Sequence, residues 1–162
     1  MKTICIWLCL ATPVAVHGQP ADSSSAPFFE PISGAFFALS VADVAASAEW
    51  YSEKLGLEVV IEVPKRRGIA VTVLEGAGLI VELIEHDQAL PLRSAAPSVT
   101  ESQYIHGISK VGVVVEDFDR TIASLRARGV EIAYGPFPAQ ANQRANAVIR
   151  DNSGNLIQFF GR

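Results

Sequence analysis

The chain has 162 residues, is 49% hydrophobic and carries a formal net charge of −4, which allows one compact core but not two independent ones. No basic patch marks a nucleic-acid surface, since the one cationic cluster, Lys65-Arg66-Arg67 before Gly68, reads as a solvated hairpin turn. Both cysteines, Cys5 and Cys9, lie near the N-terminus, so the remaining sequence has no disulfide, thiolate–metal or thiol-nucleophile chemistry.

The N-terminus opens with Met1-Lys2-Thr3, an apolar run from Ile4 to Leu10, and small residues at Val16 and Gly18. This pattern predicts a signal peptide over residues 1–18, cut near Gln19, and a secreted or periplasmic product. The apolar run is far shorter than the roughly 20 residues of a spanning helix, so no membrane association is expected after cleavage. Residues 19–32, rich in Ser, Ala and Pro, read as a disordered lead-in.

A strand is predicted from Ala35 to Val41, followed by a helix capped by Asp43 whose Val44, Ala48, Tyr51 and Leu55 recur at helical spacing. Gly56 ends it. Glu58 to Val63, Ile69 to Glu75 and Leu79 to Glu85 read as strands, separated by turns at Lys65–Gly68 and Gly76-Ala77-Gly78. From His86 to Tyr104 periodicity is lost and prolines appear, as in a connector long enough to act as a flap. A strand from Ile108 to Val115, a helix capped by Asp117 and ended by Gly129, and strands at Val130–Tyr134, Ala145–Arg150 and Leu156–Phe160 complete the chain. Pro136 to Arg144 is a second loop expected at a pocket mouth.

The second half repeats the first at an offset of 74 to 76 residues. Phe36–Asp43 (FFALSVAD) lies over Lys110–Asp117 (KVGVVVED), and Leu79–Leu83 over Asn155–Phe159. The predicted fold class is α+β: two tandem βαβββ modules forming one open, incomplete β-barrel cleft. The boundaries are 33–86 for module one, 87–106 for the connector and 107–162 for module two, together a single domain over 33–162. Phe36, Glu82, Lys110 and Gln158 are the odd bulky or polar residues on the strands that open and close each module, and a doubled module builds its site where the copies face each other.

From Ser33 to Arg162 the sequence resembles the vicinal oxygen chelate superfamily, which includes glyoxalase I, methylmalonyl-CoA epimerase, extradiol dioxygenases, and fosfomycin- and bleomycin-resistance proteins. The resemblance is carried by the Val-x-Asp strand exits at Val41–Asp43 and Val115–Asp117, the helix ending YSEKLG from Tyr51 to Gly56, and Asp151-Asn152-Ser153-Gly154-Asn155 before the last strand. In metal-dependent members, one inward residue on each module's first and last strand binds a divalent ion that acts as a Lewis acid. Carried onto this chain, those positions are Phe36, Glu82, Lys110 and Gln158. Phe36 has no donor atom and Lys110 offers an ammonium, so no metal and no cofactor are expected.

Lys110 is instead expected to stand where the ion would sit, paired with Glu82 and hydrogen-bonded by Gln158. Phe36, Ala38, Gln158 and Phe160 are the expected ligand-binding residues, an apolar wall suited to a hydrophobic or aromatic small molecule, with Trp50 and Tyr134 as further pocket residues. The leading expectation is an exported, metal-free binding protein of the bleomycin-resistance type that forms a homodimer, as the resemblance implies. The alternative is a glyoxalase-like lyase or isomerase in which Glu82 is the base and Lys110 stabilises an enolate; a metalloenzyme with ligands at shifted positions is a third. A set of Glu82, His86 and His106 is disfavoured, because four residues along a strand separate side chains by about 13 Å.

Overall fold

The computed structural model describes residues 36–101 and 104–162. The expected signal segment and lead-in lie outside the described residues. Module one consists of β1 (Phe36–Val41), α1 (Val44–Leu55), β2 (Glu58–Arg66), β3 (Ile69–Gly76) and β4 (Leu79–His86). A short helix α2 (Leu92–Ala95) interrupts the connector, and module two adds β5 (Val111–Val115), α3 (Phe118–Ala127), β6 (Glu131–Phe137), β7 (Asn146–Arg150) and β8 (Leu156–Gly161). Each module forms its own four-stranded sheet, in the order β1-β4-β3-β2 and β5-β8-β7-β6, with no closed barrel. The α+β class and the doubled βαβββ plan therefore hold.

The repeated Val-x-Asp exit has one physical job in both modules. Asp43 is extended at φ −146° and its carboxylate accepts from Ala46 N at 2.9 Å, while Asp117 does the same for Arg120 N at 2.9 Å. Each aspartate supplies an acceptor that the first helical turn lacks, worth roughly 1 kcal/mol. Gly56 stops α1 in the left-handed conformation at φ 73°, which a residue with a Cβ resists.

Helix α1 packs on β3 and β4, and one face of each strand is buried beneath it. Leu74, Val81 and Leu83 are fully buried there, and they join Ile149, Ile157, Phe159 and Leu125 of module two in one continuous core. Burying each such side chain contributes about 1.5–3 kcal/mol. The two modules therefore do share a core.

Three differences from the sequence reading have simple causes. The fifth strand was expected from Ile108 but begins at Val111, because its parallel partner β8 starts at Leu156 and pairs Ile157 with Val111. Ile108 is consequently 86% exposed and Lys110 lies off the ladder. Strands β2 and β6 run three residues further than expected, to Arg66 and Phe137, and the α2 turn arises inside a connector expected to be irregular.

Candidate ligand-binding site

Strand alternation sorts the expected site residues by face. In module one the register sets Phe36 beside Ile80, Ala38 beside Glu82, and Ser40 beside Ile84; β3 continues these rows with Val73 beside Glu82 and Val71 beside Ile84. Ile61 and Val63 of β2 extend them further. All of these lie on the face opposite α1. The face is apolar and open: Phe36 is 64% exposed, Ile61 54% and Ile80 37%. Glu82 is half-buried in its centre and makes no hydrogen bond or ion pair among the described residues.

The corresponding face of module two is filled at its centre, with Val114 and Phe137 exposed at its edges. Its rows set Gly112, Gln158, Val148 and Tyr134 side by side, and Val114, Phe160, Asn146 and Phe137 beside them. Asn146, Val148, Leu156 and Gln158 are all buried, and the Gln158 amide nitrogen donates to Asn146 Oδ1 at 3.0 Å. Glu101 of the connector accepts a hydrogen bond from the Tyr134 hydroxyl at 3.1 Å, which holds that phenol above its ordinary pKa. Asn146, which sequence reasoning left as an ordinary strand residue, is the partner that fixes Gln158. Trp50, expected in the pocket, packs edge to face on Tyr51 at 5.1 Å on the helix side instead.

Between the sheets, the edge strands β1 and β5 border the same two cavities. One, of about 870 Å³, is bounded by Phe36, Phe37, the β3–β4 turn, β5 and the exposed side of α3. The other, of about 630 Å³, lies at the far end of the seam, between the end of β1, the connector and the residues around Lys110. There Lys65 bridges Glu85 at 2.8 Å and also Asp87. Hydrogen bonds donated to Asp87 and then to Glu85 hold the Lys65 ammonium above its usual pKa, and those accepted from Lys65 and the Val44 N–H hold Glu85 below the usual carboxylate range. The loop from Pro136 to Arg144 borders a smaller cavity of about 430 Å³ with Glu116 and Phe118.

Lys110 lines the second cavity, and the ion pair expected between Glu82 and Lys110 is not formed among the described residues. The cause is the late start of β5, which leaves Lys110 outside the ladder that would have faced it toward Glu82. The four positions do not fit a divalent ion: Phe36 contributes no donor and Lys110 contributes a cation, which leaves only Glu82 and the oxygen of Gln158, whose amide nitrogen donates to Asn146. His86 sits at the end of β4, its Nδ1 accepting from Gln88 N at 3.0 Å, while His106 is exposed in the connector. No cluster of three or more His, Cys, Asp or Glu residues suited to a metal occurs among the described residues.

The profile of the Glyoxalase/Bleomycin resistance protein/Dioxygenase superfamily matches residues 35–159. The chain belongs to this superfamily. Solved superfamily folds align over most of it: a glyoxalase family protein from Enterococcus faecalis at 22% identity and a TM-score of 0.65, covering 83% of this chain and 99% of that one. An antibiotic-binding protein from Streptomyces sp. CB03234 aligns at 19% identity and a TM-score of 0.55, covering 82% and 98%. A glyoxalase I variant from Zea mays aligns at 18% identity and a TM-score of 0.56, covering 77% of this chain and 43% of that one. Among curated proteins, none matches the sequence. At these identities the superfamily likeness establishes the fold; the chemistry rests on this chain's own side chains.

Proposed function

We propose that this superfamily member is an exported, metal-free protein that binds a small, partly apolar molecule against the open sheet face of module one. The observation that carries the reading is that face itself: Phe36, Ile61, Ile80 and Val73 in adjoining rows around Ala38 and the half-buried carboxylate of Glu82, with Glu75 exposed at the rim beside Ile80. An apolar surface with one polar group at its centre suits a ligand that needs a hydrophobic wall and one oriented hydrogen bond or charge. The antibiotic-binding relative of the same fold accords with this class of function.

The binding reading is tested by titrating the protein with the neutral apolar dye Nile red. Saturable binding to the native protein is expected, weakened tenfold or more in Ile80→Asp, because the new carboxylate would need desolvating beside the ligand. Unchanged binding in the variant overturns the placement. Turnover of a hemithioacetal by the native protein, lost in Glu82→Gln, would replace binding with lyase or isomerase chemistry in which Glu82 is the base.

All of β2 is exposed, including Val59, Val60, Ile61 and Val63, and it is the free edge of its sheet. Such an edge is a template for pairing. We propose that a homodimer covers it, which sedimentation velocity would report as a two-chain species that dissociates in Ile61→Lys.

A further inference from the structure

The two modules meet through two turn–helix joints that repeat symmetry makes equivalent, yet only one is filled. At the first, the β7–β8 turn of module two seats on α1. Tyr51 donates to Asp151 at 2.9 Å, the Ser47 and Ser153 hydroxyls meet at 3.3 Å, and the Asn155 amide donates to Ser40 O at 3.3 Å. The offset of 74 sets Leu125 in place of Tyr51 and Thr121 in place of Ser47, and the strand registers set Gly76 in place of Asp151 and Ala77 in place of Ser153, the module-two turn being one residue longer. Phenol, serine and aspartate are thereby replaced by leucine, alanine and glycine. No hydrogen bond joins this second turn to α3 among the described residues, and the space left is the cavity of about 870 Å³. That volume is within the roughly 300–1,000 Å³ typical of small-molecule pockets.

Its chemistry is two-sided. Phe37, Leu57, Leu79, Val113 and Phe159 form an apolar floor, while Lys54, Arg120 and Arg128 stand around it. The acids that line it are already engaged: Asp117 caps α3 and Glu116 pairs with Arg162. The cations are not. The Arg120 side chain has no protein acceptor among the described residues, Arg128 reaches only the Ser124 carbonyl of its own helix at 3.3 Å, and Lys54 has a loose contact of 4.0 Å with Glu53, outside the cavity. Unpaired guanidinium groups above an apolar pocket match a carboxylate or similar anion that carries a hydrophobic body.

We propose that this open joint is a second ligand site, distinct from the sheet face around Glu82, and that it takes an amphipathic anion with its apolar body on the Phe37–Phe159 floor and its anionic head between Arg120 and Arg128. The two sites share only the rim residue Phe36.

The test is isothermal titration of the full chain with decanoate and with decan-1-ol, which have the same apolar body and differ in the head group. Decanoate should bind roughly tenfold tighter than the alcohol, and an Arg120→Gln, Arg128→Gln double variant should abolish that preference while retaining the alcohol's affinity. Ser124→Trp, which places an indole in the cavity from an α3 position with no side-chain hydrogen bond among the described residues, should remove both ligands without lowering the melting temperature. Equal affinity of acid and alcohol, or acid binding that survives the double variant, overturns the proposal. Loss of decanoate in Ile80→Asp with binding intact in Ser124→Trp also overturns it, because the acid would then occupy the sheet face.

Discussion

The joint at Asp151 and its counterpart at Gly76 hold the same place in two copies of one module, and only the first is filled. Asp151 is buried and accepts from Tyr51 Oη at 2.9 Å, Ser153 N at 2.9 Å, Asn155 N at 2.7 Å and the Asn155 amide at 2.9 Å, so every lone pair that faces the protein is satisfied. Gly76 offers no side chain, and its turn of small residues leaves a cavity. The sheet faces differ as well: the centre of module two's is filled by Gln158 and Asn146, and module one's is open. The halves share one core and one hydrogen-bonded joint, and the proposed ligand sites lie at the other joint and the open face.

The largest effect that separates the joints is expected from Asp151→Ala. It strands a buried phenol and three N–H donors and should cost about 3–5 kcal/mol in urea unfolding, whereas Glu75→Ala, next to the equivalent Gly76, should fall within about 0.5 kcal/mol. Equal losses would break the comparison. Tyr51→Phe removes one donor to a buried carboxylate and should cost about 1–3 kcal/mol by the same measurement. Ala77→Asn should cost less than about 0.5 kcal/mol, since Ala77 already holds φ at 49°, a conformation asparagine tolerates, and its turn touches no partner that would be lost.

The pH dependence sharpens the same contrast. Burial first, and then the charge and hydrogen bond of Asp151, raise the Tyr51 pKa. The stabilisation is therefore complete below the ordinary tyrosine value of about 10 and declines above it, where the unfolded chain releases a proton that the folded chain keeps. Alkaline unfolding should be shallower in Tyr51→Phe than in the native protein. The smallest effect is at Glu85, whose lowered pKa gives a contribution present above the ordinary glutamate value and lost as pH falls through the folded one. Glu85→Gln should flatten the acid limb of a stability–pH curve slightly, in step with the exposure of its Lys65 bridge.

Much of the fold was legible because its signals are local. Helical spacing in α1, the Val-x-Asp caps and period-two strands each depend on neighbours within a few residues, and the internal repeat made each module a check on the other. The strand faces were legible, but the pairing across the modules was not. Alternation placed Phe36, Ala38 and Glu82 together correctly, but where β5 begins depends on where β8 begins, some 45 positions away, so Lys110 was set opposite Glu82 when it lines a different cavity. Tyr51 and Asp151 are individually unremarkable as a core aromatic and a turn aspartate; their meeting across a separation of 100 residues leaves no mark in either local sequence. The asymmetry of the joints was present as a substitution pattern between the repeats, Tyr51 to Leu125 and Asp151 to Gly76, and acquires meaning only once the module-two turn is known to seat on α1.

The central proposal is that this chain keeps the fold without holding an ion at its four strand positions. Elemental analysis tests it most directly, on protein exposed to zinc, nickel, manganese and ferrous iron and then freed of loosely held metal. The account predicts no stoichiometric ion with any of the four; one tightly held ion per chain would contradict it and move the functional centre away from Phe36, Glu82, Lys110 and Gln158 as placed.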